Sequence, residues 1–272
     1  MLDNVQAKLM SRKWLKEAIA GRAKHFVNTL TFTPSIIERE VAGEKYQFYI
    51  GSATGKSWYS SHTDVSIEMS FLKREIIKPG DVVIECGAHH GAQTILLSRW
   101  VGSEGKVIVI EPIPENIAIL ERNVKLNELE NVIVVNKAAG SSCGYLSMTR
   151  NSNGAVSARE NDGNLNRVES ITLDKLADDL MLTPTFIKID VEGYEYQVLE
   201  GCKSILSATP ALFVEVHPLA LPRYGRAFHD LWKSVDHNAY DMFLQVDDLE
   251  EPVPYSPEVV PKNRVHLFFK PR

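Results

Sequence analysis

The chain has 272 residues, of which 44% are hydrophobic and 24% charged, and this composition excludes a disordered chain and a large multidomain assembly. The 35 Asp and Glu residues outnumber the 30 Lys and Arg residues, and the resulting net charge of -5 argues against general nucleic-acid binding. The three cysteines lack the paired spacing of a disulfide framework or a zinc site, and no apolar run is long enough for a transmembrane segment, so we expect a cytoplasmic protein.

Residues 1–60 are predicted to form an N-terminal extension, part helix and part β-hairpin, before a single larger domain at residues 61–272. The first 24 residues combine six Lys and Arg residues with apolar positions at helical spacing, without the apolar core and cleavage pattern of a signal peptide. Such an amphipathic helix packs on its own domain, or it contacts a membrane surface or another protein, including a second copy of this chain. A hairpin is predicted through residues 44–50.

From residue 82 onward, short β-branched runs alternate with helical patterns, which is typical of βαβ units in a parallel sheet. The runs predict seven strands, at residues 82–86, 106–110, 131–135, 186–190, 211–216, 242–246 and 265–269. Helices are predicted at residues 94–100, 114–127, 198–206 and 226–235. The polar stretch at residues 140–168 is predicted to be a loop or a loose hairpin. We therefore predict an α/β fold with a mostly parallel seven-stranded sheet and helices on both faces.

A glycine turn follows the first predicted strand of this sheet. Gly87 and Gly91 let the backbone approach a ligand at the carboxyl end of the strands. Glu85 precedes the turn, and its carboxylate would repel a dinucleotide pyrophosphate but favour an ammonium or sulfonium group. Glu111 ends the second strand, where an acidic side chain accepts hydrogen bonds from ribose hydroxyls or remains a solvated charge. This combination favours a cationic, ribose-containing ligand over NAD.

Four segments of the chain resemble the FkbM family of S-adenosylmethionine-dependent methyltransferases. They are residues 82–91, 110–112, 186–195 and 213–217, and the run Lys-Ile-Asp-Val-Glu-Gly-x-Glu at residues 188–195 is the most specific. The resemblance implies a Rossmann-like class I methyltransferase fold, S-adenosylmethionine as donor, and O-methylation of a hydroxyl on a small metabolite, sugar, lipid or glycan. It implies donor contacts from Glu85, Gly87, Ala88, His89, Gly91, Glu111, Pro112 and Asp190.

Glu68 lies before the first strand of the sheet, where it either folds over the donor or belongs to a plain amphipathic helix. The chain departs from the usual family pattern at Glu85, His89 and His90, where Asp, Asn and an apolar residue are common. The first exchange keeps the charge. The two histidines place titratable rings beside the methionine part of the donor.

Catalytic candidates lie at the ends of the fourth and fifth predicted strands. Asp190 ends the fourth strand, where class I folds place a residue that faces donor and acceptor, although Asp190 also suits a helix N-cap. Glu192 follows in the next turn and could reach the acceptor. His217 is the candidate general base, or a histidine hydrogen-bonded in a loop. We expect no bound metal; the alternative is a divalent-metal site of Asp190, Glu215 and His217.

Two other charged residues belong to the same motif. Lys188 lies inside an apolar strand, which predicts an ion pair with Glu215 or Glu85. Glu195 lies at the start of the following helix, where its charge complements the helix dipole.

The sequence thus favours a methyltransferase whose partner is a small-molecule or glycan acceptor rather than nucleic acid. One alternative is a Rossmann-like NAD(P)-dependent oxidoreductase, which Glu85 and the missing third glycine oppose. Another is a noncatalytic binding protein that retains the methyltransferase fold. A homodimer through the N-terminal region is compatible with each of them.

Overall fold

The computed structural model of the chain describes residues 31–60, 66–149, 155–157 and 165–272. The amphipathic helix predicted within the first 24 residues lies outside the described residues. Among the residues described, no helix is long and apolar enough to cross a membrane.

The described residues form two compact units. One contains residues 31–37 and 49–60, and the other contains residues 38–48 together with the described residues from 66 to 272. The predicted division into residues 1–60 and 61–272 stays a prediction.

The strands in the described part of the chain range from two to seven residues in length. They are β1 (Ser35–Val41), β2 (Glu44–Ile50), β3 (Val82–Cys86), β4 (Lys106–Ile110), β5 (Val132–Val135), β6 (Ala138–Ala139), β7 (Gly144–Thr149), β8 (Leu165–Ile171), β9 (Phe186–Ile189), β10 (Ala211–Val216), β11 (Tyr240–Gln245), β12 (Val253–Pro254) and β13 (Val265–Pro271). The predicted hairpin near residues 44–50 is confirmed, because β1 and β2 form a two-stranded sheet.

Eight of these strands form the central sheet, in the order β12-β11-β13-β10-β9-β3-β4-β5. The five strands from β10 to β5 in this order are parallel. Beyond them, β13 pairs antiparallel with β10, β11 pairs antiparallel with β13, and β12 pairs antiparallel with β11. The α/β class and the seven predicted strands are confirmed. The two-residue strand β12 adds an eighth at the edge, where its pairing is too short to leave a pattern in the sequence.

The connections of the sheet reverse direction between β3 and β9. The chain proceeds from β3 to β4 and β5 on one side, whereas β9 and β10 lie on the other side of β3. Because parallel crossovers are right-handed, connections that run in opposite directions place helices on opposite faces of the sheet. Open α/β sheets bind ligands in the crevice at such a reversal, beside the carboxyl ends of the strands.

The α-helices of the described residues are short or of medium length. They are α1 (Ala53–Tyr59), α2 (Ile67–Phe71), α3 (Ala92–Val101), α4 (Pro114–Leu126), α5 (Leu173–Leu180), α6 (Glu195–Glu200) and α7 (Lys203–Ser207). A π-helical turn at Leu72–Ile76 continues α2, and 3-10 turns occur at Leu221–Tyr224, Phe228–Lys233 and His237–Ala239. Pro114 occupies the first turn of α4, where its fixed backbone angle suits a helix start.

Two predicted helices differ from those observed. The helix predicted at residues 198–206 is divided at Gly201, where an added Cβ would lie 2.0 Å from the carbonyl oxygen of Gly140. The backbone amides of Ser204 and Ile205 then donate to the Asp174 carboxylate, which caps α7. The helix predicted at residues 226–235 is instead a 3-10 segment, Phe228–Lys233. Both differences come from tertiary contacts that helical periodicity does not encode.

The polar stretch at residues 140–168 contains part of a separate three-stranded sheet, ordered β6-β8-β7. Strands β7 and β8 pair antiparallel, so the hairpin interpretation of this stretch is confirmed. Val156 forms an isolated bridge with Met148 on β7. Ala138, Met148 and Val168 make a small buried cluster beneath this sheet.

The main core lies on the central sheet. Ile84, Ile108, Ile187 and Val214 come from four parallel strands, belong to one buried cluster and are each at most 1% exposed. Full burial of such a side chain stabilises the fold by roughly 1.5 to 3 kcal/mol. The β-branched runs that predicted the strands therefore also supply the rigid base on which the loops at the carboxyl ends are held.

Candidate functional site

The glycine turn after β3 lies at the reversal of the sheet and packs against the end of β9. Gly87, His89 and Gly91 have positive φ angles of 80°, 51° and 84°. An added Cβ at Gly87 would lie 1.8 Å from the carbonyl oxygen of Asp190, so only glycine fits there. The Asp190 amide donates to the Cys86 carbonyl oxygen at 3.1 Å. The predicted donor-binding turn and the predicted catalytic carboxylate are therefore neighbours through their backbones.

Glu111 holds the glycine turn from the end of β4. Its Oε2 accepts a hydrogen bond from the His89 amide at 2.9 Å, and its Oε1 accepts from the Ile113 amide at 3.0 Å and from Asn116 Nδ2 at 3.1 Å. The residue is only 4% exposed. Burial raises the pKa of the Glu111 carboxyl to about 7, although the three hydrogen bonds oppose that shift.

Glu85 lies inside the sheet. Its Oε2 accepts a 2.6 Å hydrogen bond from Thr94, and its Oε1 lies 3.5 Å from Lys188 Nζ. The predicted ion pair of Lys188 with Glu85 is confirmed. Glu85 is fully buried, so direct contact of its carboxylate with the donor stays a prediction.

His89 and His90 stack on each other, with ring centroids 3.8 Å apart. Burial lowers the pKa of His89 to about 3, with a further contribution from the neighbouring His90. Burial also lowers the pKa of His90 to about 4, and a hydrogen bond with Asn116 opposes that shift. Both rings are neutral at physiological pH, so they add no positive charge beside the turn.

A cleft that is partly open to solvent lies over the glycine turn. The cleft is lined by residues at the ends of β3, β4 and β9 and by residues in or beside the three-stranded sheet. The lining residues are Gly87, Ile110, Glu111, Pro112, Ala138, Ala139, Met148, Val156, Asp190, Val191 and Tyr194. The lining is thus largely apolar and includes two carboxylates, Glu111 and Asp190.

A second group of side chains meets at the ends of β9 and β10. His217 Nδ1 lies 2.8 Å from Glu195 Oε1, and its Nε2 lies 3.6 Å from Glu215 Oε1 and 3.8 Å from Glu192 Oε2. Burial opposes a charge on His217, but the hydrogen bond with Glu195 and the charges of Glu195, Glu215 and Asp190 raise its pKa to about 9. The ring is then protonated at neutral pH, and the role of His217 as general base stays a prediction.

Asp190 joins the cleft to this second group. Its side chain is 29% exposed, and Oδ2 lies 3.8 Å from the buried Lys188 ammonium. Burial and the nearby Glu215 raise the pKa of Asp190 to about 7, although Lys188 and His217 oppose the shift. A carboxylate with a pKa near the working pH can accept a proton and later release it.

A further network lies behind Glu215. Arg264 Nη1 donates to Glu215 Oε1 at 2.9 Å, and His266 Nε2 lies 3.2 Å from Glu215 Oε2. His266 Nδ1 in turn lies 3.8 Å from Glu68 Oε2, and Gln93 Nε2 donates to Glu68 Oε1 at 3.3 Å. Glu68 therefore lies beside His266, on the short helix α2, and its contact with the donor stays a prediction.

Two groups of potential metal ligands occur among the described residues. Asp190, Glu215 and His217 each offer an atom, and these atoms lie within 4.8 Å of one another. The sequence analysis proposed this trio as an alternative metal site, and the structure brings the three residues together. Glu68, Asp248 and His266 form a second such group.

The sequence analysis missed the site contacts of Glu195, Arg264 and His266. Glu195 was assigned to the helix dipole, although its carboxylate contacts a histidine 22 residues later. His266 lies on β13, and Arg264 comes directly before that strand; β13 pairs antiparallel with β10 and brings His266 opposite Glu215. The sequence contained one usable signal, because a histidine within the apolar run of β13 requires a buried polar partner.

The sheet order, the glycine turn and the carboxylate after β4 are those of a Rossmann-like α/β fold. The sequence profile of the methyltransferase FkbM domain matches residues 85–242, which is more than half of the chain. The chain therefore belongs to the FkbM family of methyltransferases, and S-adenosylmethionine is its methyl donor. No curated protein matches the chain in sequence.

Several solved structures are similar to the chain. The methyltransferase FkbM from Methylobacillus flagellatus has 20% sequence identity and a TM-score of 0.45, and the match covers 71% of this chain but 43% of that protein. An S-adenosylmethionine-dependent O-methyltransferase from Thermotoga maritima has 17% identity and a TM-score of 0.44, with 88% and 78% covered. Fibrillarin from Aeropyrum pernix, with bound S-adenosylmethionine, has 12% identity and a TM-score of 0.47, with 86% and 82% covered.

The residues of the cleft fit this donor. The apolar side chains of Ala138, Met148 and Val156 suit a purine ring, and the Glu111 carboxylate, which lines the same cleft, suits a ribose. Glu111 Oε2 accepts a hydrogen bond from the His89 amide, and a carboxylate oxygen has capacity for another. The absence of any Cβ at Gly87 keeps the backbone of the turn close to the cleft.

Proposed function

We propose that this protein methylates a hydroxyl oxygen of a small metabolite, sugar or glycan. The observation that carries the proposal is the position of Asp190, which lines the donor cleft and also belongs to the charged group around His217. A partly exposed carboxylate at that junction can contact an acceptor hydroxyl while the donor occupies the cleft.

S-adenosylmethionine supplies a methyl group on a positively charged sulfur, which leaves as a neutral thioether when an oxygen nucleophile displaces it. Asp190 accepts a hydrogen bond from the acceptor hydroxyl and takes up its proton, because its raised pKa lies near neutral pH. His217 is protonated and donates through Nε2, which orients the acceptor oxygen. Glu192 lies 3.8 Å from the same ring and supplies a further hydrogen-bond acceptor for a polyol.

Donor binding is assigned to the glycine turn and the strand that follows it. In this proposal Gly87, Ala88 and Gly91 let the backbone pass close to the donor, and Glu111 accepts hydrogen bonds from the ribose. Pro112 lines the cleft beside Glu111. Glu85 contributes indirectly in this proposal, because its carboxylate pairs with Lys188, whose ammonium lies 3.4 Å from the Gly87 carbonyl oxygen.

The charge of the site supports an uncharged or cationic acceptor. Asp190, Glu192 and Glu215 retain side-chain exposures of 29%, 36% and 14%; the protonated His217 lies among them, and Arg264 pairs with Glu215. Lys188 is 3% exposed, so its ammonium is shielded from a ligand in the site. A phosphorylated or carboxylated acceptor would meet these carboxylates at short range, which costs binding energy.

The test begins with calorimetric titration of the full-length protein with S-adenosylhomocysteine. Methyl transfer from labelled S-adenosylmethionine is then measured with a metabolite and glycan extract, and the labelled product is identified by mass spectrometry. Turnover that depends on the protein and yields an O-methyl ether supports the proposal. A product methylated on nitrogen or carbon, or donor binding without turnover, contradicts it.

The variant Asp190→Asn removes the proposed proton acceptor but keeps the size of the side chain. Asp178→Asn, on the exposed face of α5, is the matched control. We expect the first variant to lose roughly 100-fold or more in kcat and the control to lose nothing measurable. The assay is repeated after treatment with a chelator. Loss of activity that Mg²⁺ or Mn²⁺ restores would replace the proton-acceptor role of Asp190 by the metal alternative.

A further inference from the structure

The carboxylate of Glu195 is fully buried inside the site and has no contact with solvent. The residue is 0% exposed and begins α6. Its Oε1 lies 2.8 Å from His217 Nδ1 and accepts a hydrogen bond from the Gly193 amide, also at 2.8 Å. Burial of an ionised carboxylate is costly unless a partner compensates the charge, and His217 is that partner.

The turn between β9 and α6 fixes where this carboxylate lies. Glu192 and Gly193 have positive φ angles of 55° and 103°. An added Cβ at Gly193 would lie 2.5 Å from the Cβ of Ala220, so the turn is packed tightly against the chain that follows β10. The Gly193 amide then completes the restraint, because it donates to the same Glu195 oxygen that contacts His217.

Restraint of Nδ1 determines the direction of the other ring nitrogen of His217. Nε2 lies 3.6 Å from Glu215 Oε1 and 3.8 Å from Glu192 Oε2, and both distances exceed the length of a hydrogen bond. His217 also belongs, with Asp190 and Glu215, to a group of residues whose potential ligand atoms lie within 4.8 Å of one another. Since Nδ1 is held by Glu195, the Nε2–H is the ring donor that faces the carboxylates of this group.

We infer that Glu195 is a positioning residue: by holding Nδ1 of His217, it directs the Nε2–H toward the acceptor oxygen beside Asp190. This inference rests on the proposed function, since it needs an acceptor hydroxyl at that place. The arrangement resembles other sites in which a buried carboxylate orients an imidazole through one nitrogen so that the second nitrogen faces the substrate. Glu195 itself touches neither ligand.

The charges that act on His217 come from several elements. Asp190 lies at the end of β9, Glu192 and Glu195 lie in the following turn and helix, and Glu215 lies on β10 itself. Arg264, directly before β13, and His266 on β13 bond to Glu215 and reduce its influence on the ring. Removal of the Glu195 charge alone therefore leaves the other groups in place.

The first experiment is an NMR titration of ¹⁵N-histidine-labelled full-length protein. In the unmodified protein, we expect Nδ1 of His217 to carry a proton at pH 7, and an unprotonated Nδ1 would overturn the inference. Glu195→Gln should lower the titration midpoint of His217 by about one pH unit or more. Glu200→Gln is the matched control, because Glu200 ends the same helix and lies 4.0 Å from Arg226. It should leave the midpoint unchanged, and an equal shift in both variants would also overturn the inference.

The second experiment measures methyl transfer by the same variants. Glu195→Gln should lower kcat by roughly 10- to 100-fold, leave the Kd for S-adenosylhomocysteine within about twofold, and move the alkaline limb of the pH profile to lower pH. An unaltered kcat and pH profile in a folded variant would show that the pair is only structural. If the unmodified protein transfers no methyl group, the proposed function fails, while the NMR titration still reports separately on the Glu195 and His217 pair.

Discussion

Lys188 and Glu85 occupy paired positions on adjacent parallel strands, with 3.5 Å between Nζ and Oε1 and side-chain exposures of 3% and 0%. The same ammonium lies 3.4 Å from the Gly87 carbonyl oxygen and 3.8 Å from Asp190 Oδ2. One buried cation thus contacts the strand before the glycine turn, the turn itself and the carboxylate proposed to accept the proton. Lys188 is therefore important for the stability of the site as well as for its charge.

Lys188→Met should destabilise the protein by about 3 to 5 kcal/mol, because it leaves the Glu85 carboxylate buried without its cation. Chemical denaturation followed by circular dichroism measures this change. Lys175→Met is the control, since Lys175 pairs with Asp179 on the exposed surface of α5, and it should cost less than about 1 kcal/mol. The double variant Glu85→Gln/Lys188→Met should recover part of the loss, and the absence of any recovery would contradict the pairing.

Gly87→Ala should disrupt the glycine turn, because the new Cβ would lie 1.8 Å from the Asp190 carbonyl oxygen. We expect a loss of more than about 4 kcal/mol in the free energy of unfolding. Gly102→Ala is a matched control: Gly102 also has a positive φ, 69°, but has nothing within 4 Å of an added Cβ. Backbone strain alone should cost the control about 1 to 2 kcal/mol. Equal losses in the two variants would mean that the contact with Asp190 has no separate effect.

Donor affinity should depend on pH through Glu111. Its pKa of about 7 means that the carboxyl becomes protonated as the pH falls through 7 and then accepts hydrogen bonds from the ribose less well. We expect binding of S-adenosylhomocysteine to strengthen by about tenfold between pH 6 and pH 8. Glu111→Gln should weaken binding by about 1 to 3 kcal/mol and remove this pH dependence.

Calorimetry at several pH values measures the effect at Glu111. The control is Glu121→Gln on the exposed face of α4, which should bind the donor product as the unmodified protein does. A pH dependence that persists in Glu111→Gln would assign the titration to another group.

Asp190 should make the protein less stable as the pH rises. Its carboxyl has a pKa of 3.8 when exposed and about 7 in the folded protein, so ionisation between these values favours the unfolded chain. Asp190→Asn should therefore stabilise the protein at pH 8 by about 1 to 2 kcal/mol and change little at pH 4. Thermal unfolding at both pH values tests this. An equal loss of stability at pH 8 and pH 4 would show that the Asp190 contacts with Lys188 and His217 outweigh the cost of its burial.

Much of the sheet could be predicted because the parallel strands are buried on both faces. Runs such as Val82–Cys86 and Lys106–Ile110 are apolar and β-branched along their length, and the predicted bounds agree with those observed. The division of a helix at Gly201 could not be predicted, since it depends on the approach of Gly140 from far along the chain. The 3-10 segment at Phe228–Lys233 likewise keeps helical spacing without forming an α-helix.

The candidate site residues that directly follow a strand could be predicted from the sequence. Asp190, Glu111 and His217 follow strands directly, and the parallel sheet brings such positions to one edge. The partners of those residues were not predictable, because they depend on pairing between distant segments. Arg264 and His266 reach Glu215 only because β13 runs antiparallel beside β10. The contact of Glu195 with Nδ1 of His217 could not be predicted either, because helical periodicity only places Glu195 at the start of a helix.

The hydroxyl of Tyr224, in the 3-10 turn after β10, donates a 2.7 Å hydrogen bond to the carbonyl oxygen of Val156, whose side chain lines the donor cleft. The Tyr224 ring also makes an edge contact with Tyr194 on the same cleft, with centroids 5.2 Å apart. The chain beyond β10 and the wall of the cleft are thus linked by one hydrogen bond and one ring contact. A ligand that shifts one of them does work on the other, and thermodynamic linkage makes that influence mutual.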